Sequence, residues 1–299
     1  MLGAKAWGYR WGKSAVVFLI EKIRPMNETI PPPLEWSLFD THCHFDFPPF
    51  TATPELELQK AAQHGVRRLV VPSIGPQDWQ AVTELAQRFP STIYYALGFH
   101  PLYLDASSPT HLPALEKALM QAEQACVAVG ECGLDGMIDV DVALQEQMLI
   151  AQLSMASQAK LPVILHSRRT HNRLLQLLKQ QRFQQGGVLH AFSGSVQEAQ
   201  QFVDLGFKIG VGGVITYPRA NKTRQAIAAL PVEHIVLETD APDMPLNGFQ
   251  CQANHPAQLA KVLETLAELK GVSAQYLAPI LWQNSQMLFG LCEQNRNKM

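Results

Sequence analysis

The sequence lacks both the long hydrophobic run of a membrane protein and the basic excess of a protein that coats nucleic acid. Its N-terminal apolar stretch at 15–20 is closed by Glu21 and Lys22, far short of the ~20 residues of a membrane span. The formal net charge is −2, which excludes a basic coat but permits a local basic rim around a pocket. The five cysteines are odd in number and form no Cys-x-x-Cys pair. We therefore expect a reducing, cytoplasmic location.

What the sequence does contain is enough apolar material for one large domain. It has 299 residues, of which 47% are hydrophobic, and α/β barrels commonly occupy roughly 250 residues as one domain. Residues 1–36 differ from the rest and include the break Pro31-Pro32-Pro33. Their apolar part is too short for a signal peptide and lacks a clear cleavage site. We interpret 1–36 as a dispensable extension and 37–299 as a single domain.

From residue 37 onward, short β-branched runs alternate with segments whose apolar residues lie three or four apart. Strands are predicted at 37–45, 67–74, 93–100, 126–133, 162–168, 187–193, 207–215 and 235–241. Helices are predicted at 54–64, 79–88, 111–124, 142–159, 172–181 and 196–205, with two more after the last strand at 257–270 and 274–288. Strands that alternate with helices pair in parallel, and eight such units predict an α/β fold, the (β/α)₈ or TIM barrel.

Potential metal ligands alternate in the segment Asp40-Thr41-His42-Cys43-His44, at the end of the first predicted strand. In a strand, this spacing places Asp40, His42 and His44 on one face. Two imidazoles so placed can bind one divalent cation. The alternative reading, two polar residues that cap a strand, depends on whether the rest of the chain supplies further ligands.

Further ligands lie at the predicted carboxyl ends of other strands, which is where barrel enzymes carry their active sites. His100, His166, His190, Glu131 and Asp240 all follow this pattern. The other five histidines fall on predicted helices, loops or strand starts, and we expect them to be surface or capping residues. Even without His100, the six imidazole and carboxylate ligands exceed the needs of one tetrahedral ion and suit two ions that share a bridging carboxylate.

These motifs resemble the TatD family of metal-dependent deoxyribonucleases within the amidohydrolase-type barrels, from about Phe39 to Phe289. The motifs are His42-x-His44, Gly130-Glu131-x-Gly133-Leu134-Asp135, Leu165-His166-Ser167-Arg168, His190-x-Phe192-Ser193-Gly194 and Glu238-Thr239-Asp240-Ala241-Pro242. The neighbouring segments 46–50 and 209–213 resemble the YjjV branch of that family. The resemblance implies two divalent metal ions (Zn, Mg or Mn) per chain, one held by His42, His44 and Asp240, the other by His166 and His190, with Glu131 bridging.

A nuclease reading also follows from the chemistry of such ligands. Paired ions activate water and neutralise charge at a phosphoryl group, and Asp240 is placed to take the proton of that water. Arg168 offers a forked donor to phosphate, while His100, Ser193 and Tyr217 are further candidates for binding substrate. We expect an exonuclease acting on single-stranded DNA or DNA ends, with no membrane and no obligate protein partner.

Two other functions remain open. The first is an amide or lactone hydrolase, in which a carboxylated lysine often bridges the metals; no lysine lies between Lys117 and Lys160, so the fourth strand cannot supply one. The second is a non-catalytic scaffold stabilised by metal, which a missing ligand or base would favour. Because all six ligands are present, the nuclease is the leading prediction.

Overall fold

The computed structural model describes residues 36–292, and its strands form one parallel sheet in the order β1 to β8. The strands are β1 Leu38–Asp40, β2 Val66–Pro72, β3 Ile93–Leu97, β4 Cys126–Asp135, β5 Val163–Arg168, β6 Gly187–Leu189, β7 Phe207–Val211 and β8 Ile235–Leu237. The helices are α1 Pro54–Gln63, α2 Trp79–Arg88, α3 Leu112–Met120, α4 Val142–Ala159, α5 His171–Gln180, α6 Val196–Val203, α7 Asn221–Ala229, α8 Leu259–Lys270 and α9 Ala274–Leu288. The predicted (β/α)₈ barrel is confirmed.

The barrel closes between β1 and β8 through the segments that follow each strand. The Thr41 N–H donates to Leu237 O (2.9 Å), and the Asp240 N–H donates to His42 O (2.9 Å). Asp40 reinforces this seam, because one carboxylate oxygen accepts from the Thr239 N–H (3.0 Å) and the other from its hydroxyl (2.6 Å). Asp40 is therefore committed to closing the barrel, although its spacing grouped it with the potential ligands.

Alternate residues of the strands pack on the two sides of the barrel wall. In β2, for example, Leu69 and Val71 belong to the large core that faces the helices, whereas Val70 belongs to a separate buried cluster. That cluster takes small or branched residues from most strands, including Ala96 and Val188. Its composition is that of a barrel interior filled by side chains.

Six strands end earlier than their sequence pattern predicts, β2 and β3 by two or three residues and four others by four or five. β1 ends at Asp40, β6 at Leu189, β7 at Val211 and β8 at Leu237, so His42, His44, His190 and Asp240 lie just beyond strands rather than on them. Helix α7 was not predicted from the sequence. Of the nine residues of this helix, NKTRQAIAA, only Thr223, Ala226 and Ile227 are buried. So narrow an apolar stripe leaves a weak periodic signal.

Within the described residues, no helix is both long enough and apolar enough to cross a membrane. The predicted dispensable extension, 1–36, lies outside the described residues apart from Trp36. Its dispensability stays a prediction.

Candidate active site

Side chains from six strand ends meet at the carboxyl-terminal rim of the barrel, around the buried carboxylate of Glu131. The Glu131 Oε2 atom lies 3.0 Å from His42 Nε2 and 3.7 Å from His44 Nε2. Its other oxygen, Oε1, lies 2.9 Å from His166 Nδ1 and 2.8 Å from His190 Nε2. Each oxygen of one carboxylate thus faces a different set of imidazoles.

β4 places Glu131 by running unusually close to β5. Any residue other than glycine at position 133 would place its Cβ 2.0 Å from His166 O, which is closer than the two atoms can approach. The close approach brings the whole of β4, from Cys126 to Asp135, into the buried wall. Two residues of this strand consequently contact His166: Glu131 on one side of the ring and Asp135 on the other.

His166 is oriented by Asp135, a residue to which the sequence analysis gave no role. The His166 Nε2 atom lies 3.0 Å from Asp135 Oδ2, so the ring donates there and turns Nδ1 toward Glu131. Burial opposes protonation of the ring, but hydrogen bonds to Asp135 and Glu131 together outweigh it and raise the pKa of His166 to about 9. A carboxylate behind an imidazole is a common arrangement in metal sites, since it fixes the tautomer and raises the basicity of the ring.

Asp240 approaches the same centre from the segment after β8. Its Oδ1 lies 3.4 Å from His42 Nε2 and 3.7 Å from His44 Nε2. The backbone of Asp240 is left-handed, with φ at 57°, and its N–H donates to His42 O (2.9 Å). The two histidines after β1 and the carboxylate after β8 therefore form one group across the seam of the barrel.

The electrostatics of the centre fit bound cations. Burial lowers the pKa of His44 to about 4 and that of His42 well below its usual value, so both rings are neutral with a free lone pair. Burial, followed by the charges of Glu131 and Glu238, raises the pKa of Asp240 well above its usual range. Neutral imidazoles beside crowded carboxylates are the donor set of a divalent metal centre, where the cation offsets the carboxylate repulsion.

The described residues contain three groups whose ligand atoms lie within 4.8 Å of one another: His42, His44 and Glu131; His100, Glu131 and His166; and His42, His190 and Glu238. His100 is nevertheless a poor ligand. The Leu102 N–H donates to His100 Nδ1 (3.1 Å), so the other ring nitrogen, Nε2, carries a hydrogen. That Nε2 lies 3.2 Å from Glu131 Oε1, which makes His100 a hydrogen-bond donor at the centre.

The remaining predicted substrate residues differ in position. Arg168 and Ser193 are exposed and line a cavity of about 370 Å³ together with His166, His190 and Asp240. The Tyr217 hydroxyl instead donates to Pro245 O (2.7 Å). Tyr217 therefore holds the loop after β8, and no contact brings it to the centre.

A smaller cavity of about 120 Å³ opens directly over the centre, and part of its wall was not anticipated from the sequence. Phe47, Leu102 and Tyr103 line it beside His44, His100 and Asp240. Leu102 and Tyr103 are about half exposed, and the Phe47 ring stacks on the His44 ring at 5.2 Å. The sequence marks this wall only by apolar residues shortly after His44 and His100. Such residues usually belong to a core, so the wall was not predicted.

Comparison with known proteins identifies the family. The family model described as TatD related DNase matches residues 39–290. The chain is 49% identical to an uncharacterized metal-dependent hydrolase, YjjV, of Escherichia coli K12, over 84% of this chain and 97% of that protein. It is 32% identical to a protein of Klebsiella pneumoniae named 3'-5' ssDNA/RNA exonuclease TatD, over 85% of this chain and 98% of that one.

Solved structures agree in fold. The crystal structure of E. coli YjjV aligns with a TM-score of 0.81 at 49% identity, over 85% of this chain and 98% of that chain. A TatD family hydrolase from Entamoeba histolytica aligns with a TM-score of 0.74 at 19% identity, over 86% of this chain and 99% of that chain, which shows likeness of fold alone. On the evidence of the family model and these relatives, the chain belongs to the TatD family of metal-dependent hydrolases.

Proposed function

We propose that the protein is a two-metal phosphodiesterase that removes nucleotides from the ends of single-stranded nucleic acid. The observation that carries this proposal is the position of the Glu131 carboxylate. Its Oε2 faces His42 and His44, while its Oε1 faces His166 and His190. A carboxylate between two pairs of imidazoles suits the bridge of a two-metal site. In this proposal His42, His44 and Asp240 hold one cation, and His166 and His190 hold the other.

Two bound cations would supply a water of lowered pKa and positive charge for a phosphoryl group. The chain's own groups complete the chemistry. The Asp240 carboxylate stands beside both histidines of its cation and accepts the proton of the attacking water. The His100 Nε2–H points into the centre and donates to a phosphoryl oxygen, and Arg168 binds the phosphate from the adjoining cavity. Imidazole-rich ligands favour zinc over magnesium and manganese.

The nucleic-acid substrate is supported by the Klebsiella relative, whose name states ssDNA/RNA exonuclease activity. The two alternatives have less support. An amide or lactone hydrolase with a carboxylated lysine has no lysine on β4, where Glu131 stands instead. A metal-stabilised scaffold does not account for an open cavity that reaches the centre beside a hydrogen-bond donor and a candidate base.

The test is hydrolysis by metal-loaded protein of single-stranded DNA, RNA and small N-acyl substrates, for the parent and for Asp240→Asn. The variant keeps the shape of the side chain but loses its charge and proton acceptor, so kcat on DNA should fall by about a hundredfold or more at saturating metal. The KM for substrate should barely change. Asp204→Asn, an exposed aspartate at the end of α6, is the matched control. Hydrolysis of N-acyl substrates alone, or an Asp240→Asn rate within a few-fold of the parent, would contradict the proposal.

A further inference from the structure

A groove leads away from the metal centre across the connection between β5 and α5. Its first part is the cavity of about 370 Å³ that shares His166, His190 and Asp240 with the centre. Its second part is a cavity of about 360 Å³ that shares Arg169 and His171 with the first. We call these two adjoining cavities the β5–α5 groove.

The part of the groove nearest the centre is cationic. Arg168 and Arg169 are both exposed there, and among the described residues neither guanidinium has a carboxylate partner within 4.0 Å. The groove's carboxylates outside the centre are already engaged: Asp135 accepts from His166, and Glu198 accepts from Ser195 and from Lys222 (2.9 Å). Free positive charge is therefore concentrated at the two arginines.

The cavity directly over the centre has the reverse character. This smaller cavity is walled by Phe47, Leu102 and Tyr103, and its rim carries the carboxylate of Asp243. An apolar, aromatic wall can take a nucleobase by stacking, whereas a carboxylate repels phosphate. A nucleic-acid strand whose scissile phosphate lies at the centre would thus place a nucleoside against this apolar wall and its phosphate chain in the β5–α5 groove.

We propose that the β5–α5 groove binds the phosphate adjacent to the scissile one, with Arg169 as its main contact. This inference rests on the proposed phosphodiesterase function and adds a second phosphate subsite, which a substrate with a single phosphodiester would leave empty. Arg168 ends β5 and lines only the cavity of the groove nearest the centre, whereas Arg169 lines both cavities of the groove. Arg168 accordingly serves the scissile phosphate and Arg169 the next one.

The experiment compares two substrates that differ by one phosphate, the dinucleotide dTpdT and the trinucleotide dTpdTpdT, with metal-loaded protein. Arg169→Gln removes the charge and retains a long side chain. Its KM for the trinucleotide should rise about tenfold or more, since a charge-assisted hydrogen bond is lost. The KM and kcat for the dinucleotide should stay within about twofold of the parent's values. The slope of log KM against log salt for the trinucleotide should shrink by about 0.7, the value for one single-strand phosphate contact.

Arg182→Ala is the matched control, because Arg182 is an exposed arginine that follows α5 at the opposite end of the barrel. Its KM for the trinucleotide should equal that of the parent. An Arg169→Gln variant that changes neither substrate, or both equally, would overturn the subsite while the parent's cleavage of dTpdT upheld the phosphodiesterase. A parent that cleaves neither substrate would overturn the proposed function and the subsite together. A circular dichroism spectrum and metal content equal to the parent's show that the variant is folded.

Discussion

Replacing Asp135 by asparagine should weaken metal binding at His166 without removing any proposed ligand. The Asp135 Oδ1 atom accepts from the Met137 N–H (2.8 Å), and Oδ2 accepts from His166 Nε2–H (3.0 Å). An asparagine whose oxygen keeps the Met137 bond presents its NH₂ group to His166 Nε2. Two donors cannot face each other, so the ring would favour the tautomer with hydrogen on Nδ1, the atom that faces Glu131.

The magnitude follows from the role of a partner behind a metal-binding imidazole. Loss of such a partner typically lowers metal affinity about 10- to 100-fold, which corresponds to ~1.4 to ~2.8 kcal/mol. Titration calorimetry or competition with a chelator would measure the dissociation constants for both metals, at a pH above about 9 so that a proton on His166 does not compete with the cation. The weaker binding should concern one of two sites, because His42 and His44 have no contact with Asp135. Imidazole NMR of the metal-free protein should also show a lower pKa for His166, since one of the hydrogen bonds that raise it to about 9 is lost.

Asp139→Asn is the control for this experiment, because Asp139 is an exposed carboxylate on the same loop. Its metal affinity and the pKa of His166 should match those of the parent. The reasoning would be refuted if Asp135→Asn bound both metals within about twofold of the parent, or if the Asp139→Asn control lost as much affinity.

Three further outcomes are expected. Glu131→Gln should lower the occupancy of both metals, because a neutral amide bridges two cations poorly; two metals per chain by elemental analysis would rule out the bridge. Arg168→Ala should raise the KM for single-stranded DNA about tenfold, as expected for one charged hydrogen bond, with unchanged metal content and a smaller effect in high salt; an unchanged KM would make Arg168 structural. Apparent metal affinity should increase with pH up to about 9, the pKa of His166, since its proton must leave before the ring binds a cation; a flat profile between pH 7 and 9 would contradict this.

The sequence predicts the architecture well because its signal is local and repeated. Buried parallel strands appear in the sequence as apolar runs, and helices such as α2 and α4 show a clear periodicity. In the structure, these two helices have the predicted bounds, 79–88 and 142–159. Strand ends are less predictable. The run that includes His42 and His44 continues to alternate after Asp40, but its backbone there bonds to Ala241 O and Val70 O. Such long-range bonds have no signature in the local pattern.

The candidate ligands were accessible to sequence reasoning because imidazoles and carboxylates at strand ends have few other uses. Residues that act through another residue could not be recognised in the same way. Asp135 and Glu238 stand inside the motifs that indicated the family, yet their partners emerge only in the fold: Asp135 contacts His166 across two strands, and Glu238 accepts from the Ala191 N–H next to His190. A motif shows which chemistry a side chain can perform, whereas its partner depends on where neighbouring strands stop. Tyr217 illustrates the reverse case, because a side chain suited to substrate binding is instead bonded to Pro245 O.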